Sequence, residues 1–442
     1  MSNELPVQWK EVQLSQLLKA NSLFSDGDWV ESKDQDPEGS NRLLQLADIG
    51  DGQFLDKSNR FLNDKQFTLL RCTPLIQGDI LIARMPDPIG RACLFPAMPM
   101  RCATIVDVAI LRNADANSGW LVAAINSDAF RRKIELSSCG TTRTRISRSL
   151  LTKLKLLVPP PEIQKSISTI LYSIDTAIEK TESLIAKYQQ IKAGLMHDLF
   201  TRGVLPSGQL RPPREQAPEL YQETAIGWIP REWNVSKLGT MAKIVSGVTL
   251  GSKESSTDTI DAPYLRVANV QDGYLDLTEI KTVRVSHKTL EYLRLIPGDV
   301  LMNEGGDFDK LGRGAVWAGE IEGCVHQNHV FRVRADSTIL RPYYLAYYSE
   351  SSFGKKYFLL SSKQSTNLAS INSTQLNAYP IALPPSCVEQ DAIIQRVSGA
   401  NSRINALKAE VEKLRAQKLG LMHDLLTGKV PVTIEEPEVV DG

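Results

Sequence analysis

The chain is written twice, and that repeat constrains its fold more than any other feature. Gly194-Leu-Met-His-Asp-Leu-Phe200 recurs as Gly420-Leu-Met-His-Asp-Leu-Leu426, 226 residues later. The same offset carries Pro159 onto Pro385, Gln164 onto Gln390 and Val204 onto Val430. No insertion or deletion falls between those points, so two segments of about 45 residues match in length. A repeat of this size implies two copies of one structural unit.

Between the prolines and Gly-Leu-Met-His, each copy reads as one long helix. In the first, Ile167, Leu171, Ile174, Ile178, Thr181, Ile185, Tyr188, Lys192, Leu195 and Leu199 follow alternating steps of four and three. In the second, Ile393, Val397, Ala400, Ile404, Leu407, Val411, Leu414, Lys418, Leu421 and Leu425 keep the same steps, with lysine in the same slot. A 3.5-residue apolar period sustained over four heptads predicts a coiled coil. The two lysines interrupt the seam. They either fix register and partner choice or carry their charge out to solvent.

The segments before the helices match more loosely. Trp9-Lys-Glu-Val-Gln-Leu14 resembles Trp233-Asn-Val-Ser-Lys-Leu238, and Gly78-Asp-Ile-Leu-Ile82 resembles Gly298-Asp-Val-Leu-Met302. Leu46-Ala-Asp-Ile-Gly-Asp-Gly-Gln-Phe54 and Val267-Ala-Asn-Val-Gln-Asp-Gly-Tyr274 each meet an Asp-Gly turn, a hairpin-like signal. Gly90-Arg-Ala-Cys93 corresponds to Gly312-Arg-Gly-Ala315. The expected order is globe, helix, linker, globe, helix. Five prolines between Val204 and Pro230 predict an extended linker there. If the helices pair antiparallel, each roughly 58 Å long, two similar but non-identical globes sit at the ends of one rod. Paired readers on a fixed spacer suit a polymer with its own repeat, and DNA half-sites are spaced by helical turns of roughly 34 Å.

Composition narrows the class. The 442 residues include 51 basic and 51 acidic side chains, and 42% are apolar. No apolar run approaches the roughly 20 residues of a bilayer span, and the N-terminus reads as no secretory signal. Six scattered cysteines without Cys-x-x-Cys argue against a disulfide framework or a thiolate zinc site. A cytoplasmic location is expected. Charge is segregated: residues 131–155 hold eight basic groups against Glu135, while residues 431–442 form an acidic tail that reads as disordered.

With these motifs in place, the sequence resembles the specificity subunits of type I restriction–modification enzymes. The resemblance is carried by Val158-Pro-Pro-Pro-Glu-Ile-Gln164 and Leu383-Pro-Pro-Ser-Cys-Val-Glu-Gln390, by Gly-Leu-Met-His-Asp-Leu at both helix ends, and by Leu426-Thr-Gly-Lys-Val430. Glu223-Thr-Ala-Ile-Gly-Trp-Ile-Pro-Arg-Glu-Trp233 resembles the family's lead-in to a recognition domain. It implies an α+β protein. Two homologous mixed α/β target recognition domains (1–157 and 231–383) are separated by two long helices (158–203 and 384–430) that form an antiparallel coiled coil, with a linker at 204–230 and a pseudo-twofold internal repeat. It further implies that double-stranded DNA is the ligand and that two methyltransferase subunits and restriction/translocase subunits are partners. Those partners would use S-adenosylmethionine, ATP and Mg; this chain would bind no cofactor and no metal and would catalyse nothing.

A search for chemistry agrees with that expectation. Gly305-Gly-Asp-Phe-Asp-Lys-Leu-Gly312 lacks the Gly-Lys-Ser/Thr ending of a phosphate-cradling loop. The proline runs lack the Asn/Asp-Pro-Pro-aromatic context of an amino-methyltransferase. Glu279, Lys281 and Asp272 vaguely suggest a metal-dependent nuclease, but the matching Asn59-Arg60-Phe61 lacks those groups. His326 and His329 lack a third zinc ligand. For DNA contact, Gln and Asn suit adenine and Arg or Lys suit guanine. That singles out His326, Gln327, Asn328, His329, Lys363, Gln364, Thr366 and Asn367 in the second half, and Arg143, Arg145 and Arg148 in the first. Thr141–Arg148 aligns with the segment from Lys363 to Asn372, allowing one residue of length difference. Arg84, Arg91 and Arg313 are further candidates beside glycine turns. The rival readings are a catalytic nuclease or methyltransferase and a coiled-coil scaffold that binds only proteins.

Overall fold

The computed structural model describes residues 8–140, 144–251, 258–306, 311–364 and 369–432. They form two compact units, Met1–Ser183 with Ala409–Gly442, and Leu184–Lys408. The long helices Pro161–Arg202 and Cys387–Leu426 each contribute one stretch to either unit. Among the described residues no helix is long and apolar enough to cross a membrane.

The two units repeat one topology. In the first, a four-stranded antiparallel sheet runs in the order Leu18–Asp26, Val108–Ala114, Ile80–Ala83, Ala92–Leu94. In the second, the order Ala242–Ser246, Val330–Ala335, Val300–Asn303, Gly314–Val316 is the same. A three-stranded sheet with one parallel pair accompanies each: Asn41–Leu44 beside Cys102–Thr104, and Thr259–Leu265 beside Val325–His326. In both units an early strand closes on the last, Lys10–Gln13 on Lys155–Val158 and Asn234–Lys237 on Pro380–Leu383. This is the α+β architecture expected from the repeat.

The matched motifs have matched jobs. The Asp-Gly turns place Gly52 and Gly273 at φ +83 and +81, where a side chain would be strained. Gly78 and Gly298, at φ +90 and +93, lead into a buried aspartate. Asp79 accepts from Ile76 N–H at 2.9 Å and pairs with Arg112 at 2.6 Å; Asp299 accepts from Ile296 N–H at 2.8 Å and pairs with Arg334 at 2.7 Å. These carboxylates are tolerable inside because both a cation and a backbone donor meet them.

Within each unit the helical stretches pack antiparallel. In the first, Lys418 pairs with Asp175 and Arg415 with Glu182, so higher numbers on one helix meet lower ones on the other. In the second, the Arg403 guanidinium lies over Tyr188, while Leu199 and Phe200 share a core with Ile393 and Val397. Of the seam residues, Ile167, Leu171, Ile174, Ile178, Leu199, Ile393, Val397, Ile404, Leu407, Val411 and Leu425 are buried. Ile185, Tyr188, Leu195, Leu414 and Leu421 are partly covered. The helix ends run on into the globular cores. Leu199 and Phe200 join Tyr344 and Tyr348, and Leu425 and Leu426 join Trp120 and Leu121.

The segment read as an extended linker is folded. Val204 bridges to Leu210, and Tyr221–Thr224 pairs with Gly227–Pro230 as a hairpin. Buried Arg211 binds Glu389 at 2.6 Å and Glu232 at 2.8 Å, and Val204 N–H also donates to Glu389. Pro206, Pro212, Pro213 and Pro218, which suggested extension, lie outside that hairpin, and Pro230 takes its terminal position opposite Tyr221.

One buried side chain ties each long helix to its globular region. Gln164 accepts from Asn117 N–H at 2.8 Å and donates to the Pro159 carbonyl at 2.8 Å. Gln390 accepts from Arg341 N–H at 2.9 Å and donates to the Ile339 carbonyl at 2.8 Å. Replacing Gln390 by Leu strands a donor and an acceptor away from water. The second unit is expected to lose about 2–4 kcal/mol on this account, read as a lowered urea midpoint, while Gln390→Glu loses only part of the network.

Candidate nucleic-acid interface

In each unit three loops converge through the same backbone bonds. Arg84 N–H donates to the Asp107 carbonyl at 2.9 Å, and Ile146 N–H to the Arg84 carbonyl at 3.1 Å. Glu304 N–H donates to the His329 carbonyl at 3.0 Å, and Ile371 N–H to the Glu304 carbonyl at 2.8 Å. The loop after an inner strand, the turn before the next strand and the loop before a short closing helix thus meet at one place. In the last loop Cys139 pairs with Arg145, and Lys363–Gln364 pairs with Ala369–Ser370. The alignment of these two loops is therefore structural as well as sequential.

The first unit gathers arginines here. Arg145 is 43% exposed and reaches Asp107 at 3.3 Å; Arg148 is exposed and donates to the Phe24 carbonyl at 3.0 Å. Arg84 differs. It is 2% exposed and donates to the Val106 and Ile146 carbonyls at 2.6 and 3.3 Å, with Asp26 at 3.0 Å. Burial pushes its pKa down from the ordinary arginine value, Asp26 opposing. Arg84 therefore holds the loops together and presents no guanidinium at the surface. Arg143 lies outside the described residues.

The second unit carries different charges on the same frame. Glu304 occupies the place of Arg84, and His329 the place of Asp107. His329 is exposed, its Nδ1 2.6 Å from the Glu304 carboxylate. Gln327 and Asn328 are half-buried at the turn, their N–H groups donating to Leu265 and Val248. His326 is fully buried, with Nδ1 2.6 Å from the Val330 carbonyl. Burial pushes its pKa down to about 4; the Val330 bond opposes and Arg332 adds to the fall. His326 is a neutral core group, separated from the exposed position of His329. The backbone of Lys363 and Gln364 is a short strand; Thr366 and Asn367 lie outside the described residues. Among the described residues no cluster of three or more His, Cys, Asp or Glu is placed to hold a metal.

Arg91 and Arg313 serve the Asp-Gly turns. Arg91 is buried and donates to the carbonyls of Ile49, Pro88 and Leu46 at 2.5, 2.7 and 2.8 Å. Arg313 is half-buried and donates to Gln271 at 3.1 Å. Sequence reasoning passed over Trp29. It is 70% exposed and follows Asp28, which bridges to Ile105 at the converging turn. An isolated tryptophan in a polar stretch was its only signal.

The comparisons with known proteins agree with this architecture. The family described as "Type I restriction modification DNA specificity domain" matches residues 6–187 and 230–414. The chain is 29% identical over 211 residues to the putative type I restriction enzyme MjaX specificity subunit of Methanocaldococcus jannaschii, covering 47% of this chain and 49% of that one. It is 27% identical over 302 residues to that organism's MjaVIII specificity subunit, covering 66% of each. With the EcoKI specificity subunit of Escherichia coli K12 it shares 21% over 337 residues, covering 74% of this chain and 68% of that one. The chain thus spans about half the length of the first relative and 66% of the second. Its fold is similar to the type I restriction–modification S subunit from M. genitalium, at TM-score 0.54 and 15% identity, covering 98% and 99% of the two chains. A chain solved in work on complex assembly and conformational transition of the type I R-M system gives TM-score 0.56 at 16% identity, covering 97% and 100%.

His326 makes a pH-dependent contribution to the second unit. Its folded pKa of about 4 lies below the unfolded value of about 6.5, so the unfolded state takes up the proton first as pH falls. The contribution is present above pH ~6.5 and is lost between there and about 4, amounting to about 3 kcal/mol at most. His326→Asn keeps a donor for Val330 and cannot titrate. Urea midpoints of wild type minus variant, measured from pH 7 to 4, should fall with acid; a flat difference refutes the assignment.

Proposed function

Because the chain belongs to the family of type I restriction modification DNA specificity domains, we propose that it reads a bipartite, asymmetric DNA target and directs partner subunits to it without catalysing a reaction. The observation that carries the asymmetry is the change of side chains on a shared frame. Arg84 and Asp107 in one unit become Glu304 and His329 in the other, over the same hydrogen bonds. Two copies of one scaffold with unlike loops suit two unlike half-sites.

In this reading residues 1–157 and 231–383 are the two target recognition domains, 158–203 and 384–430 the spacer helices, 204–230 the joint and 431–442 an acidic tail. The converging loops face the duplex. Arg143, Arg145 and Arg148 are assigned to phosphate or guanine in one domain; His329, Gln327, Asn328, Lys363, Gln364, Thr366 and Asn367 serve the other. Arg84, Arg91 and His326 act from beneath by fixing loop shape. Two methyltransferase subunits and restriction/translocase subunits complete a cytoplasmic assembly, and S-adenosylmethionine, ATP and Mg belong to them. Support for two docking sites comes from Gly194 and Gly420. Each sits inside a long helix, where glycine costs roughly 1 kcal/mol relative to alanine, yet a Cβ there would meet nothing within 4 Å among the described residues. A neighbouring chain approaching closely at both places accounts for this matched pair; Gly399, equally open, has no counterpart in the first helix.

Co-expression with a methyltransferase subunit in a host lacking its own adenine methylation tests the proposal. A genome-wide methylation map should return one split, asymmetric motif, and exchanging residues 1–157 for another recognition domain should change one half of it only. A well-formed complex that methylates nothing would favour the protein-only scaffold.

Arg145→Ala with Arg148→Ala should weaken DNA binding by the assembled complex. Loss of two phosphate contacts lowers the slope of log affinity against log salt by about 2. An unchanged slope with an altered motif would make these arginines base readers instead.

A further inference from the structure

Lysine occupies the same seam slot in both long helices, where the heptad period calls for an apolar residue. Lys192 is 15% exposed and Lys418 21%, and each ends 2.6 Å from a carboxylate. The carboxylates come from different places. Lys192 pairs with Glu350, the last residue of the globular helix Pro342–Glu350. Lys418 pairs with Asp175, on the first long helix.

At the equivalent positions each carboxylate is an amide. Asn126 ends the globular helix Ser118–Asn126 as Glu350 ends its own, and Asn401 lies 226 residues beyond Asp175. The local geometry supports the equivalence. A Cβ on Gly273 would lie 3.7 Å from Glu350 Oε2; one on Gly52 would lie 4.0 Å from Asn126 Nδ2 and 3.8 Å from Lys418 Nζ. Asn401 lines one groove with Lys192 and Glu350, and Asn126 lines another with Lys418 and Asp175. A second, outer ion pair is the same in both: Asp51 with Arg131 at 2.7 Å, Asp272 with Lys355 at 3.5 Å. Only the inner acid has moved, from helix to globe. Asn126 is spent elsewhere, bonding Ala92 N–H at 2.9 Å and the Ala92 carbonyl at 2.8 Å.

We propose that these relocated carboxylates key each globular domain to its own position along the chain. The second domain brings the acid its lysine needs; the first does not, and its helix supplies one. The first domain placed second would set Asn126 and Asn401 around Lys192, leaving a largely covered ammonium without a counterion. The second domain placed first would set Glu350 and Asp175 around one lysine. A charge removed from water and left unpaired is costly, and so are two acids sharing one cation. The domain order, and with it the polarity of whatever the chain reads, is thus written into the packing.

The test is a charge-relocation cycle in the full chain, followed by thermal unfolding. Glu350→Gln should lower the midpoint of the second unit by about 3 °C or more. Adding Asn401→Asp should restore most of that loss by recreating the arrangement around Lys418. Adding Lys192→Met to Glu350→Gln should also restore it, because no cation then needs a partner. A chain with residues 8–157 grafted in place of 232–383 should gain a similar shift from Asn401→Asp. The proposal is overturned if Glu350→Gln leaves the midpoint unchanged, or if neither second substitution recovers it. A graft indifferent to residue 401 would confine the ion pairs to local packing.

Discussion

A buried glutamine at the head of each long helix is the contact on which both units depend. Gln164 and Gln390 each satisfy one backbone donor and one backbone acceptor where the globular region meets the helix. An amide can do both at once without charge, which a carboxylate or an ammonium cannot. Beside that bond the apolar stripe of Ile167 and Leu171, or Ile393 and Val397, packs into its core. The buried Asp79 and Asp299, each paired with a partly exposed arginine, Arg112 or Arg334, brace the sheets on the same repeated plan.

On that frame the loops are free to diverge. Their backbone hydrogen bonds involve N–H and C=O groups only, so they survive any change of side chain. The positions of Arg84 and Glu304 can therefore carry opposite charges without disturbing Ile146 or Ile371, which bond to their carbonyls. A recognition surface whose side chains differ between the two units is best hung from main-chain contacts.

The sequence made the frame legible because frame and periodicity share a cause. The heptad seams, the Asp-Gly turns and the Gly-Asp entries into the inner strands are local signals, and each marks the element expected of it. The joint at Val204–Pro230 was misread because its buried Arg211 is anchored by Glu389, a contact between residues distant in sequence. For the candidate residues the sequence showed chemical type but not exposure. Arginine and histidine were selected by chemical type, and type says nothing of exposure: Arg84, Arg91 and His326 are buried while Arg145, Arg148 and His329 are not. The difference arises from which carbonyls the tertiary fold points at each side chain.

The seam lysines show why such a protein retains polar groups in an apolar stripe. An apolar residue at either slot would pack at least as well, since a partly buried ion pair gains little over its desolvation cost. What an apolar pair lacks is a preference about its neighbour. A lysine accepts one carboxylate and resists both none and two, so the partner surface is constrained in charge as well as shape. Two homologous domains on one chain share shape by descent. Charge is the remaining property by which their sockets can tell them apart, and Glu350 and Asp175 place it on opposite sides of equivalent contacts.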